Sequence, residues 1–146
     1  MKASIRILPL AIILAMLSLT SSARSADEDT PLGEAMDAIA KAYKALGTEL
    51  KTPDPARKDA YVKLAATIRD EAVKCIDLVP AKISAMPEAE RPQILKDYKT
   101  DMNKFAETAG VLKIALGEAK WSDADAAMKS LKEDKSSGHE QFKMEE

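Results

Sequence analysis

Apolar side chains recur along this chain in four separate stretches, mostly at spacings of three or four residues. The first stretch consists of Leu32, Met36, Ile39, Tyr43, Leu46 and Leu50, and the second of Tyr61, Leu64, Ile68, Ala72, Cys75 and Val79. The third consists of Tyr98, Met102, Phe105, Ala109, Leu112 and Leu116, and the fourth of Ala124, Met128, Leu131 and Phe142. Such spacing places apolar residues on one face of an α-helix. The pattern predicts four amphipathic helices and no β-strand.

Capping and turn residues mark the ends of these stretches. Thr30 is a favourable N-cap for the first helix, and Pro31 suits the first helical position. Gly117 is predicted to close the third helix in a left-handed conformation, while Ser122 and Asp125 resemble a capping box at the start of the fourth. Helices of this kind cannot bury their apolar faces alone. We therefore expect an all-α domain, an antiparallel up-down-up-down four-helix bundle.

The first 25 residues have the composition of a secretory signal peptide. Lys2 and Arg6 precede an apolar run from Ile7 to Leu19, and small residues follow this run. The run is shorter than the roughly 20 residues that a membrane-spanning helix requires. We expect cleavage after Ser25, leaving residues 26–146 as one bundle domain that is exported and soluble, without a membrane anchor.

The charge and cysteine content narrow the possible partners. Three of the 22 basic residues fall in the predicted leader, so the mature chain has 19 basic against 24 acidic residues and a net charge of −5. An acidic chain without a basic cluster argues against nucleic acid as a partner. Cys75 is the only cysteine and cannot form an intramolecular disulfide, so packing must hold the fold together. Four complete apolar faces make a monomer sufficient.

His139, the only histidine, is predicted to lie near the end of the fourth helix. In the expected bundle the start of the first helix and the end of the fourth share one end of the molecule. Met36 lies on the apolar face of the first helix, and His139 is about 20° around its helix from Met128. We therefore expect both side chains to point inward and to face each other.

Two interpretations of this pair remain open at this point. A methionine on an apolar helix face is usually a core filler, and a histidine near a helix C-terminus often interacts with the helix dipole. Alternatively, the two side chains are metal ligands. A structural zinc site needs four nitrogen or sulfur ligands, and blue copper needs two histidines and a cysteine. A methionine with a histidine is instead an axial ligand set for heme iron.

Three segments of the chain resemble soluble periplasmic cytochromes of the b-562 family. They are Leu32 to Met36, the Pro80-Ala81-Lys82 sequence after the second helix, and Leu131 to Phe142 with His139. The resemblance covers the whole mature chain, including the order of the four helices. It implies one heme b, with Met36 and His139 as the metal ligands.

The resemblance also implies the surroundings of the heme. The expected cofactor-binding residues are Leu32, Ile39, Tyr43, Pro80, Tyr98, Met102, Lys135, Phe142 and Lys143. Lys135 and Lys143 stand where the family has arginines, so the positive charge near the propionates is kept without the bidentate geometry of arginine. The end of the chain is also similar to the last helix of cytochrome c-prime, but Lys135 and Gly138 replace its two heme-attaching cysteines. The heme is therefore expected to be non-covalent.

These expectations describe an electron-transport protein and not an enzyme, because a heme iron with both axial positions filled has no open position for a substrate. The expected partner is an unidentified periplasmic redox protein. A heme-free four-helix bundle that binds a protein partner or serves a periplasmic stress function is the main alternative. A gas-binding heme protein with five-coordinate iron is a third.

Overall fold

A computed structural model describes residues 29–143, and the predicted signal peptide and its cleavage site lie outside this range. The helices are α1 (Pro31–Glu49), α2 (Lys58–Cys75), the short α3 (Ala81–Ser84), α4 (Arg91–Gly117) and α5 (Trp121–Phe142), with a 3-10 turn at Pro55–Arg57. The four long helices pack antiparallel, α1 on α2, α2 on α4 and α4 on α5, which confirms the predicted fold class. Over the described range, no helix combines the length and apolar character needed to cross a membrane.

Local sequence signals determine where α1 begins. The Thr30 hydroxyl accepts a hydrogen bond from the backbone N–H of Gly33 at 3.1 Å, and Pro31 occupies the first turn. This side-chain bond satisfies one of the backbone donors that the first turn of a helix leaves without a partner. The predicted start of the first helix is confirmed.

The core follows the predicted pattern in the second half of the chain and departs from it in the first half. All ten apolar positions predicted for α4 and α5 are buried. In α1, however, Ala35 and Ala42 are buried, whereas Met36 and Tyr43 are only half-buried. At about 100° per residue, Met36 and Tyr43 therefore lie to one side of the helix face that packs on α2. Both side chains are thus on the side of α1 that faces α5.

The second helix ends earlier than the sequence predicts. It stops at Cys75, and Val79, predicted to lie on its apolar face, is 47% exposed. The hydroxyl of Tyr98 in α4 donates to the carbonyl of Cys75 at 2.7 Å, satisfying a backbone acceptor at the helix end. The connection then forms α3, which buries Ile83. A tertiary hydrogen bond thus accompanies a helix end that the apolar pattern alone does not indicate.

The turn between α4 and α5 differs from the prediction in two respects. The left-handed residue is Ala119, with φ of +54°, while Gly117 belongs to α4 and has no positive φ. The N–H of Lys120 donates to the carbonyl of Ala115 at 2.9 Å, which is the bond of a Schellman motif with its left-handed residue at Ala119. The predicted glycine cap is therefore wrong by two residues.

The predicted capping box at the start of α5 is also wrong. The helix begins at Trp121, one residue before Ser122, and the N-cap residue Lys120 makes no side-chain capping bond. Asp125 instead pairs with Lys129 at 2.8 Å. The Trp121 ring packs edge-on against Tyr61 of α2, with centroids 6.2 Å apart, so this aromatic contact holds the first turn of α5 in place.

The Ala119→Gly substitution is expected to stabilise the protein by about 1 kcal/mol. An alanine pays a steric penalty at positive φ that glycine does not. The Gly117→Ala substitution should also stabilise, by roughly 0.5–1 kcal/mol, because Gly117 is helical and an added Cβ would lie 3.9 Å from Val62. Urea unfolding followed by circular dichroism measures the free energy of unfolding of both variants. A loss of stability in Gly117→Ala would show that residue 117, and not residue 119, is left-handed.

Candidate ligand-binding site

A cavity of about 310 Å³ lies between α1, α4 and α5 at the end of the bundle where α1 begins and α5 ends. The helices α1 and α5 make few close backbone approaches, in contrast to the other neighbouring pairs. They are bridged by the hydroxyl of Tyr43, which donates to the carbonyl of Met128 at 3.0 Å. Beyond this bridge, side chains of both helices line the cavity. Its volume falls within the range of about 300–1,000 Å³ typical of small-molecule sites.

All candidate site residues from the sequence line this one cavity. They are Leu32, Met36, Ile39, Tyr43, Pro80, Tyr98, Met102, Lys135, His139, Phe142 and Lys143. The sequence did not single out eight further lining residues, which are Gly33, Asp37, Ala40, Asp101, Phe105, Leu131, Asp134 and Gly138. Phe105 and Leu131 were recognisable as apolar-face positions. A polar or glycine residue inside a helix gives no comparable signal of which cavity it borders.

The inner wall of the cavity is apolar and well ordered by packing. Tyr98 and Phe142 meet edge to face, with ring centroids 5.3 Å apart and planes at 80°. Both rings and Leu131 are buried. Because the Tyr98 hydroxyl is already bonded to the Cys75 carbonyl, the aromatic pair has a fixed position. This wall suits the apolar body of a ligand.

Met36 and His139 border the cavity from different helices. Met36 is half-buried on α1, and His139 is on α5. His139 differs from the fully inward position that the sequence predicts, because it is exposed to solvent as well as lining the cavity. It lies about 60° around α5 from the buried Phe142 at 100° per residue. The imidazole therefore belongs to the mouth of the cavity and not to the bundle core.

The electrostatic surroundings of His139 favour its neutral form. Partial burial lowers the pKa of the imidazole, and the positive charges of Lys135 and Lys143 lower it further. Since the folded-state pKa lies below the ordinary value, the unfolded chain binds the proton more readily, and protonation at acidic pH works against folding. A neutral imidazole has a free lone pair, which is the form that coordinates metals.

One polar side chain that lines the cavity, Asp134, is incompletely hydrogen-bonded. Asp134 of α5 accepts a hydrogen bond from the ammonium of Lys104 in α4 at 2.6 Å through Oδ1. Its other oxygen, Oδ2, is buried and has no hydrogen-bond partner. A buried carboxylate oxygen of this kind is uncommon in native proteins, where buried polar atoms nearly always have a partner. Asp134 thus brings negative charge to the cavity wall.

Gly138 leaves space at the wall beside His139. It lies inside α5 without a positive φ, and a Cβ built at this position would meet no atom within 4 Å. A glycine inside a helix destabilises it by roughly 0.5–1 kcal/mol relative to alanine. The helix therefore forgoes the stability that alanine would add at a position that lines the cavity.

Cys75 does not belong to this site. It is fully buried in the core at the end of α2, and burial raises the pKa of its thiol to about 11. Across residues 29–143, no three histidine, cysteine, aspartate or glutamate side chains gather into a group that could hold a metal ion. Apart from the two lysines, the nitrogen and sulfur side chains that line the cavity are His139, Met36 and Met102.

We expect the Cys75 thiol to be inert in the native protein. With a pKa near 11, about one thiol in a thousand is ionised at pH 8, and the side chain is inaccessible. A disulfide reagent such as DTNB should react with it over hours in buffer and within minutes in urea. Val73→Cys is the matched control, because Val73 is on the same helix and 46% exposed. Rapid release of one equivalent from the native wild-type protein would contradict the burial of Cys75.

The cavity combines an apolar aromatic wall with two lysines, three aspartates, two thioethers and one neutral imidazole. Such a site suits a largely apolar ligand that carries anionic groups toward solvent and offers a metal to sulfur and nitrogen. No protein-family model, curated protein or solved structure shows a significant match to this chain. These comparisons identify no family, and the fold shown is an all-α antiparallel bundle.

Proposed function

We propose that the cavity binds one heme b non-covalently, with Met36 and His139 as axial iron ligands, and that the protein is a periplasmic b-type cytochrome. The observation that carries the proposal is that these two side chains, from the first and last helices, line the same apolar cavity. Their combination is the axial ligand set of heme iron in cytochromes c. The b-562 resemblance of the segments around both residues supports the same assignment.

The residues of the cavity fit such a cofactor. Tyr98, Phe142 and Leu131 offer an apolar surface to a porphyrin, and Gly138 leaves room beside the imidazole. Lys135 and Lys143 are exposed residues that line the cavity, where they can pair with propionate groups. Neither lysine provides the bidentate contact of an arginine, so each is expected to act as a point charge.

Each residue has a distinct role in this proposal. The bound heme supplies reversible one-electron chemistry at its iron. His139 offers a neutral nitrogen ligand, and the Met36 thioether favours the ferrous state. The aromatic wall excludes water from one side of the cavity. With both axial ligands provided by the protein, no iron position is open to a substrate, which favours electron transfer to a periplasmic redox partner over catalysis.

Addition of hemin to the purified mature protein tests this function. We expect a shifted, sharpened Soret band with one equivalent bound and a low-spin spectrum in both oxidation states. Carbon monoxide added to the reduced protein should bind slowly or not at all, because the methionine must first be displaced. Prompt binding would support the five-coordinate alternative. An unshifted Soret band would favour the heme-free interaction protein.

Gly138→Leu provides a control that leaves both iron ligands in place. Leucine is a better helix former than glycine, so the variant should fold at least as stably as the wild type. Its side chain would project into the cavity, and we expect hemin affinity to fall at least tenfold. Unchanged affinity in a folded variant would place the heme elsewhere on the protein.

A further inference from the structure

Asp134 is one of three aspartates that line the cavity and that the proposed coordination does not use. Its side chain is 15% exposed, and it lies one to two helical turns before His139 on α5. Oδ1 is bonded to Lys104, and Oδ2 is buried without a hydrogen-bond partner. The carboxylate therefore faces a poorly hydrated environment in which its charge acts over a longer distance than in water.

Lys104, the partner of Asp134, cancels the negative charge of this carboxylate only in part. The Lys104 side chain is 67% exposed, so solvent screens its ammonium much more than it screens the buried carboxylate. Lys135 and Lys143, which also line the cavity, are exposed residues. Among these groups, the carboxylate of Asp134 therefore contributes most to the electrostatic potential inside the cavity.

Asp37 is a second carboxylate that lines the same cavity, and it is exposed to solvent. It lies on α1, and its side chain is 72% exposed and pairs at 4.0 Å with Lys41, whose side chain is 81% exposed. Water surrounds this carboxylate, so its field inside the cavity is weak. Asp37 and Asp134 are thus two carboxylates of one site that differ in burial, and Asp134 also has the closer lysine partner.

From this difference we infer that Asp134 lowers the reduction potential of the bound heme, an inference that rests on the proposed function. Reduction of ferric to ferrous heme removes one unit of positive charge from the iron. A buried carboxylate at the cavity wall stabilises the more positive ferric state, and an exposed one does so only weakly. Asp134 would act through the negative charge of its carboxylate and would make no bond to the iron.

Potentiometric titration of the hemin-loaded wild type, Asp134→Asn and Asp37→Asn tests this inference. Asparagine keeps the shape of aspartate and removes its charge. At the midpoint potential of the wild type, the ratio of ferrous to ferric protein should rise about tenfold in Asp134→Asn. The same ratio should change less than twofold in Asp37→Asn, while both variants keep the low-spin absorption spectrum of the wild type.

Each other outcome overturns the inference in a recognisable way. An unchanged ratio in a low-spin Asp134→Asn protein would refute the charge effect while leaving the heme function intact. Equal shifts in both variants would show that burial is irrelevant. Loss of the heme spectrum in Asp134→Asn and also in Asp134→Ala would make Asp134 a residue required for heme binding. A wild type that binds no hemin would instead refute the proposed function, and the inference with it.

Discussion

His139→Ala is expected to leave the bundle folded and to reduce hemin affinity by about a hundredfold or more. The residue is exposed at the cavity mouth, and surface substitutions of this kind change stability by roughly 0.5 kcal/mol or less. The imidazole is, however, the only one in the sequence, and it lines the cavity. Absorbance titration with hemin measures the affinity, and thermal unfolding of the heme-free protein measures the stability.

The sulfur ligand can be tested with a matched pair of methionines. Met36 and Met102 both line the cavity, from α1 and α4 respectively. Leucine replaces methionine with little change in volume, so both Met→Leu variants should fold. Met36→Leu is expected to convert the ferrous protein to a five-coordinate, high-spin form that binds carbon monoxide promptly, whereas Met102→Leu should keep the wild-type spectrum.

Two results would contradict this assignment of ligands. If His139→Ala and Met36→Leu both kept the spectrum of the wild type, the heme would not be coordinated in this cavity by these residues. If Met102→Leu, and not Met36→Leu, became high-spin, the sulfur ligand would come from α4. Either outcome can be read from absorption spectra of the same three proteins, because the apolar wall remains intact in all of them.

Much of the fold follows from information that is local in sequence. Thr30 with Pro31 specifies a helix start through one side-chain bond, and eight of the ten apolar positions predicted for α4 and α5 are large side chains, which makes their periodicity clear. The pattern is less decisive in α1, because Ala35 and Ala42 are small and are easily assigned to either face. Their burial against α2 depends on how closely the two helices approach, which is a tertiary property.

The turn at Ala119 shows a different limit of sequence-based prediction. Glycine is preferred at left-handed positions, so the nearby Gly117 was the natural candidate. The residue that adopts the positive φ is instead fixed by where α4 ends and α5 begins, since one turn must connect two packed helices. The connection therefore imposes the left-handed conformation on an alanine, against its own preference.

The candidate site was predictable only in part for the same reason. The order of the helices places the start of α1 and the end of α5 together, so Met36 and His139 could be paired from the sequence. The role of Asp134 depends on Lys104, which is distant in sequence and adjacent only after α4 and α5 pack. Polar positions of this kind acquire meaning from a neighbouring helix, and no periodicity identifies them.

Leu112→Ala is expected to destabilise the protein by about 2–5 kcal/mol, the usual cost of truncating a fully buried leucine. Leu112 is 0% exposed on the face of α4 that forms the bundle core. The single cysteine excludes an intramolecular disulfide, so packing is the main source of stability. Since small domains are stable by only about 5–15 kcal/mol, one such truncation removes a large part of the total.

Ile114→Ala is the matched control for this packing effect. Ile114 lies two residues along the same helix and is 62% exposed, so its truncation removes a similar number of carbon atoms without opening a cavity. We expect a change of about 0.5 kcal/mol or less. Urea unfolding followed by circular dichroism should show a large fall in the midpoint for Leu112→Ala and almost none for Ile114→Ala. Equal shifts would mean that α4 is rotated about its axis relative to the packing described, and with it the cavity wall that Tyr98 and Met102 provide.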